Sequence, residues 1–195
     1  MSNKKGFTLE EIKGLYALRF DGVYMDVTIY VNGQQAFEWK YGCSVFDADI
    51  TDFVKEGKNL VAVRVVYRFL NTRWYSGAGI FRNVWFKTKN NLHIVSDGIY
   101  VTEVKENDTK WRVEVDTELA AKCPKCAEGT AKLVQKLYDA ENVLVAESTA
   151  DIVAESTPVC SQVLFVENPK LWSAEKPNLY ALVLTLKDGN GNVVE

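Results

Sequence analysis

The feature that most constrains this chain is a period-two alternation of side chains over residues 111–119. One face of the extended segment is mostly apolar and the other is charged: Trp111, Val113, Val115, Thr117 and Leu119 against Arg112, Glu114, Asp116 and Glu118. A helix would repeat its apolar positions every three to four residues, whereas a strand repeats them every two. The pattern predicts a β-strand with one face on a core and the other in water.

Similar short runs occur along the whole chain. They cover residues 27–31, 61–65, 80–86, 133–138, 143–146, 163–166 and 179–186. Turn signals separate them, among them Asn32-Gly33, Asp97-Gly98 and the tetrads at 139–142 and 188–191. The 9 Tyr, 9 Phe and 5 Trp suit pleated, half-buried surfaces. We therefore predict an all-β fold built of β-sandwiches.

Helical signals are few and short. Thr8 followed by Glu11 has the spacing of a capping box and predicts a single turn before Gly14. Residues 51–54 predict another single turn before Gly57. No period of 3.6 lasts long enough for a crossover helix, so a parallel-sheet fold with βαβ units is disfavoured.

The length of 195 residues suits two domains of about 100 residues each. The most suitable boundary is the polar segment Lys89-Asn90-Asn91, between two apolar runs. We predict an N-terminal domain over residues 1–90 and a C-terminal domain over 91–195, the second with the strand spacing of an immunoglobulin-like sandwich.

Charge and hydropathy restrict the partners. The formal charge of −3 argues against binding to nucleic acid or to an anionic membrane. No apolar run approaches the length of a membrane span, and the first residues do not resemble a signal peptide, so we expect a cytoplasmic protein. Four cysteines are too few for a disulfide scaffold, which agrees with a reducing compartment.

The motif Cys123-Pro-Lys-Cys126 has the spacing of a metal or redox pair. A structural zinc site needs four ligands, and Cys43, Cys160 and His93 do not supply them at a suitable spacing. We favour cysteines of a surface turn, with a partial metal or redox site as the alternative. His93 lies between two apolar residues and is interpreted as a structural strand histidine.

The acidic residues after Phe46 have two interpretations. Paired carboxylates can cleave a glycosidic bond when they flank a cleft. Asp47 and Asp49 instead fall on one face of a predicted strand, so we interpret them as a solvated face, with Asp52 following in the turn. Gly77-Ala-Gly79 precedes a strand and not a helix, which argues against a phosphate-binding loop.

The irregular segment over residues 71–79 is the strongest candidate for a binding site. It combines Asn71 and Arg73 with the aromatic rings of Trp74 and Tyr75. Aromatic faces pack against the C–H surface of a sugar, and amide or guanidinium groups donate to its hydroxyls. The alternative is a loop that plugs its own sandwich, with Arg82 in a buried ion pair.

Four motifs then resemble one family in order and spacing. Residues 73–84, RWYSGAGIFRNV, closely resemble the RWYSGSGIYRDV segment of bacterial β-galactosidases of glycoside hydrolase family 2. The other stretches are similar to the family's FDGV…VYVNG hairpin, its DITD turn and its NPxLWS…PxLY signature: residues 20–33, 46–65 and 166–180.

The resemblance implies a sugar-binding jelly roll followed by an immunoglobulin-like domain. In the family the catalytic glutamates lie on a (β/α)₈ barrel that follows, so we expect no catalytic residue and no cofactor in this chain, although family members often use Mg²⁺ or Na⁺. By resemblance, substrate contact is assigned to Asn71, Arg73 and Trp74, with a β-galactoside as the ligand of the parent enzyme. Members cleave galactosides, glucuronides or mannosides, and that choice stays open.

The resemblance also enters the jelly roll partway through, because the family's opening strands have no counterpart here. An incomplete sandwich exposes strand edges and core surface, which predicts homo-oligomers formed through the jelly roll, a swapped or repaired sheet, or poor solubility. The leading hypothesis is a non-catalytic N-terminal region of a β-galactosidase-like hydrolase. The alternatives are a free-standing carbohydrate-binding or adhesion module and a structural interaction protein that binds a partner chain and no sugar.

Overall fold

The computed structural model describes residues 2–68, 77–121, 130–153 and 159–195. Across these residues it is built of antiparallel β-strands and one 3₁₀ turn at Thr51–Phe53. The chain divides into two compact units, Met1–Lys89 and Asn90–Glu195. The predicted all-β fold with two sandwiches is therefore confirmed.

The N-terminal unit contains a sequence of short strands. They are β1 (Ser2–Leu9), β2 (Leu15–Phe20), β3 (Val23–Tyr24), β4 (Val27–Val31), β5 (Gln34–Trp39), β6 (Phe46–Asp49), β7 (Gly57–Val65), β8 (Gly79–Ile80) and β9 (Val84–Lys89). One sheet has the order β1-β7-β4-β5, another the order β6-β2-β9, and β3 pairs with β8. The inward faces of the two larger sheets share one core, which includes Phe20, Val23, Ile29, Val31 and Ile50.

The C-terminal unit is a sandwich of longer strands. They are β10 (Leu92–Lys105), β11 (Lys110–Ala121), β12 (Thr130–Tyr138), β13 (Leu144–Val153), β14 (Val159–Glu167) and β15 (Ala181–Lys187). One sheet has the order β10-β11-β14 and the other β13-β12-β15. Residues 111–119 lie in β11, where Val113, Val115, Thr117 and Leu119 are buried as the alternation predicted.

Three local predictions were wrong. Thr8 does not open a helical turn. It lies in β1 opposite Lys58 of β7, because the backbone groups of β1 hydrogen-bond with those of β7. Asp97-Gly98 does not separate two strands but lies at an irregularity inside β10, where Asp97 has a φ of 59°. The run at 80–86 is interrupted, with Ile80 ending β8 and Val84 opening β9.

Candidate functional site

The described residues on both sides of the predicted binding segment lie on one part of the N-terminal unit. Residues 69–76 lie outside the described residues, and with them the predicted substrate contacts Asn71, Arg73 and Trp74. Before this stretch, the Val66 amide donates to the carbonyls of Met25 (3.1 Å) and Asp26 (3.3 Å). After it, Gly79-Ile80 pairs with Val23-Tyr24. The residues on both sides of the segment are therefore held by residues 23–26.

A charged pair lies at this anchor. The Arg68 guanidinium, which is largely exposed, donates to the Asp26 carboxylate, which is mostly covered. The Asp26 amide also donates to the Lys40 carbonyl (3.4 Å), and its backbone has a φ of 45°. The pair fixes a carboxylate and a guanidinium next to the point where the predicted binding segment begins, and both groups suit hydrogen bonding to hydroxyls.

Three tyrosines near these residues in the chain differ in exposure. Tyr41 follows Lys40 and is 66% exposed, and Tyr67 precedes Arg68 and is 39% exposed. Tyr24 instead packs on Gly42 so closely that a Cβ at residue 42 would lie 2.2 Å from its Cδ2 atom. Glycine at position 42 is thus required by the Tyr24 ring.

Phe81 packs in a similar way on Gly22, where an added Cβ would lie 2.7 Å from the Phe81 Cζ atom. Arg82 is exposed, and its guanidinium lies 5.6 Å from the centroid of the Phe81 ring. The alternative that Arg82 forms a buried ion pair is therefore wrong. The side chain stacks at the surface instead.

Asp47 and Asp49 have structural partners. The Asp47 carboxylate lies 3.5 Å from Arg19 Nη1 and 3.1 Å from Lys87 Nζ. Asp49 Oδ1 accepts hydrogen bonds from the Thr51 amide (2.9 Å) and hydroxyl (2.6 Å). Both side chains alternate with buried Phe46 and Ala48 along β6. Their interpretation as a solvated face is confirmed for exposed Asp49 but not for Asp47, which is half-buried with its Oδ1 atom covered.

His93 is 8% exposed in β10, with Nδ1 3.1 Å from the Asn90 carbonyl oxygen, which confirms a structural role. Cys123 and Cys126 lie outside the described residues. Within the described ranges, no group of three or more His, Cys, Asp or Glu side chains is placed to hold a metal ion. The same ranges contain no helix that is long and apolar enough to span a bilayer.

The shifted carboxyl groups lie in the C-terminal unit. The pKa of Asp139 is lowered by the Val143 amide, and the pKa of Asp188 is lowered by the Asn192 side chain and backbone. The general acid of a glycosidase needs a pKa that is raised. Neither carboxyl group is therefore suited to protonating a leaving glycoside.

The sequence alone did not indicate that Asp26 and Arg68 form a pair in this region. Asp26 and Arg68 are separated by 42 positions, and no spacing rule connects them. Their proximity depends on the pairing of β4 with β7, in which Val27 lies opposite Val65. A pairing of that kind is a property of the folded sheet and not of either segment.

Family models match both compact units of the chain. The family model of the glycosyl hydrolases family 2 sugar binding domain matches residues 7–90, and the model of glycosyl hydrolases family 2 matches residues 92–195. β-Galactosidase BoGH2A of Bacteroides ovatus is 33% identical over 186 residues, covering 92% of this chain and 22% of that protein.

Solved structures show the same likeness. A crystal structure of a family 2 glycosyl hydrolase from Bacteroides cellulosilyticus superposes with a TM-score of 0.89 at 34% identity, covering 98% of this chain and 27% of that one. A β-glucuronidase from glycoside hydrolase family 2 gives a TM-score of 0.84 at 25% identity, covering 98% and 22%. The chain thus spans about a quarter of the length of these proteins.

Proposed function

The chain belongs to glycosyl hydrolases family 2, and from this membership we propose that it acts as the non-catalytic N-terminal region of a β-galactosidase-like glycoside hydrolase. The observation that carries the proposal is the order of the two matches. A sugar binding domain and a second family domain follow each other on two compact β units, over about a quarter of the length of the relatives.

The chemistry of the described residues supports a role without catalysis. Retaining hydrolysis of a glycoside needs two carboxyl groups about 5 Å apart, one of them with a raised pKa. Asp47 and Asp49 are engaged with Arg19, Lys87 and Thr51, and Asp139 and Asp188 have lowered pKa values. In keeping with the family resemblance, we assign the cleavage step to residues beyond these two units in the parent enzyme.

Within this role, residues 71–79 border the glycoside site of the parent, and Asn71, Arg73 and Trp74 contact the substrate. The Asp26–Arg68 pair supports the assignment, because it places hydrogen-bonding groups a few residues before that segment in the chain. The parent substrate is a β-galactoside, in keeping with the relatives that are β-galactosidases.

The gene gives the first test. We expect the reading frame to continue beyond residue 195 into alternating strands and helices that carry two glutamates at the ends of strands. A stop codon immediately after residue 195 would instead favour the second candidate.

That candidate is a free-standing carbohydrate-binding or adhesion module in which residues 71–79 are themselves the site. The exposed Tyr41 and Tyr67 favour it, since they offer sugar-binding surface without a second domain. Titration with galactose, lactose and glucuronate, followed by tryptophan fluorescence, separates the two. Saturable binding that Trp74→Ala abolishes supports the module. A response that is flat, or that Trp74→Ala leaves unchanged, supports the non-catalytic region of a larger enzyme.

A further inference from the structure

A second surface of the N-terminal unit places an aromatic ring among charged groups. In the sheet β6-β2-β9, Arg19 lies opposite Asp47 on one side and opposite Trp85 on the other. Leu18 and Phe20, the neighbours of Arg19 on β2, are buried in the core. Because successive side chains of a strand point to opposite faces, the row of Asp47, Arg19 and Trp85 lies on the outer face of the sheet.

The indole of Trp85 is both held and accessible. Its Nε1 donates to Asp21 Oδ2 at 2.7 Å, which fixes one edge of the ring. The side chain is nevertheless 52% exposed. A ring that is already held in place loses little conformational freedom when a ligand packs against it. The sheet thus presents a preorganised aromatic surface.

The charged side chains around the ring compensate one another. Arg19 lies 3.5 Å from Asp47 and 3.8 Å from Asp21, and Lys87 lies 3.1 Å from Asp47. These cations and anions are equal in number, so the surface has no net charge to attract an ionic ligand. The side chains of Arg19, Asp21, Asp47 and Lys87 are nevertheless between 20% and 29% exposed, although the Oδ1 atom of Asp47 is covered.

We propose that this surface, the Trp85 platform (Trp85, Arg19, Asp21, Asp47 and Lys87), binds neutral carbohydrate. The C–H face of a pyranose ring packs on the exposed indole, and its hydroxyls exchange hydrogen bonds with the charged groups beside it. A neutral polyol suits this surface, because each hydroxyl can both donate to a carboxylate and accept from a cation. Its binding also leaves the equal number of cations and anions on the surface unchanged.

The platform is independent of the substrate contacts proposed above. Its side chains lie on β2, β6 and β9 and on Asp21 directly after β2, whereas Asn71, Arg73 and Trp74 lie outside the described residues. The platform depends on Trp85 and the proposed substrate contacts depend on Trp74, so a result that refutes one proposal does not refute the other.

The test is a ¹⁵N-labelled sample of the full chain, titrated with lactose and with cellobiose at millimolar concentrations. The indole N–H signals of the five tryptophans are followed by NMR, and Trp85→Phe and Trp74→Phe identify two of them. We expect the Trp85 signal to shift saturably while the signal of Trp172, which is 63% exposed in the other unit, stays in place.

Substitutions supply the second measurement, which follows the backbone amide signals of Arg19 and Lys87, because the Trp85 variants lose the Trp85 indole signal. Trp85→Ala should weaken binding at the platform about tenfold or more. Trp85→Phe, which keeps an aromatic ring, should weaken it less, and Trp172→Ala should leave it unchanged. The Trp39 indole signal, which depends on a 3.1 Å bond to Ser44, reports whether each variant is folded.

The platform proposal is refuted if the Trp85 signal does not shift with either sugar. It is also refuted if the Trp172 signal shifts as much as the Trp85 signal. A saturable shift of Trp74 alone also overturns it while supporting the loop contacts. A shift of Trp85 alone supports the platform and removes support from the loop contacts.

Discussion

Asn59 shows how much of the N-terminal unit depends on one amide side chain. It is 2% exposed, and its Oδ1 accepts from Asn32 Nδ2 (2.8 Å) and from the Lys55 amide (2.9 Å). Its Nδ2 donates to the carbonyls of Lys55 (2.6 Å) and Gly57 (3.1 Å). Together these bonds fasten the turn that precedes β7 to the Asn32-Gly33 hairpin.

Asn59→Ala should lower the free energy of unfolding by roughly 2–3 kcal/mol, because buried donors and acceptors lose their partners. Urea denaturation measures the loss. Gln35→Ala is the matched control, since the Gln35 amide bonds only to exposed Glu38 in the described contacts and should change stability by less than about 0.5 kcal/mol. An equal effect of the two substitutions would contradict this role of Asn59.

The Asp188 carboxylate is held by hydrogen bonds within its own turn, and these make its titration predictable. Its carboxylate accepts from the Asn192 side chain (3.0 Å) and from the amides of Asn192 (2.8 Å) and Asn190 (2.9 Å), which lowers its pKa below the usual 3.8. A lowered pKa means that the folded state is favoured above the usual pKa and loses this contribution as the pH falls through the lowered value.

An NMR titration of the carboxyl carbons should therefore place the Asp188 midpoint below 3.8, and Asn192→Ala should raise it. A midpoint at or above 3.8 in the unmodified chain would be inconsistent with the turn as described.

At the scale of elements, β12 is the central strand of its sheet and is paired on both sides. Leu133 in β12 is completely buried. Leu133→Ala should destabilise the C-terminal unit by about 2–5 kcal/mol through lost transfer energy and a residual cavity. Leu179→Ala, at a position 67% exposed, should have an effect of less than about 0.5 kcal/mol. Comparable urea midpoints for the two variants would place Leu133 outside the core.

The strands were predictable where the signal was local. Val113 and Val115 face the core because a strand alternates, and that information lies within the segment itself. Thr8 and Asp97 were misjudged because their conformation depends on partners far along the chain, Lys58 and the residues of β11. The Asp26–Arg68 pair and the Trp85 platform were missed for the same reason, since both require knowledge of which strands are neighbours.

For the whole molecule, self-association stays a prediction, and the N-terminal unit has a surface on which it could occur. A groove of about 360 Å³ in the N-terminal unit is lined mainly by apolar side chains of both sheets, including Leu18, Phe20, Val63, Val84 and Phe86. Val84 and Phe86 are each 42% exposed although their cross-strand neighbours Phe20 and Leu18 are buried. Exposed core-facing positions of this kind favour contact with another chain.

Sedimentation velocity over a range of concentrations should therefore detect dimers or larger species. Val84→Asp should shift the distribution towards monomer, because a carboxylate would have to be desolvated in the contact. Tyr100→Asp, at an exposed position of the C-terminal unit, should leave it unchanged. Monomeric behaviour of the unmodified chain at every concentration would contradict the prediction.

The proposed function requires that these two β units carry no hydrolytic residues of their own. The most direct measurement is hydrolysis of nitrophenyl β-D-galactoside by the purified chain, followed by absorbance against a buffer blank. We expect no release of nitrophenol above the blank at any concentration of the chain. Saturable release that increases in proportion to the chain would contradict it.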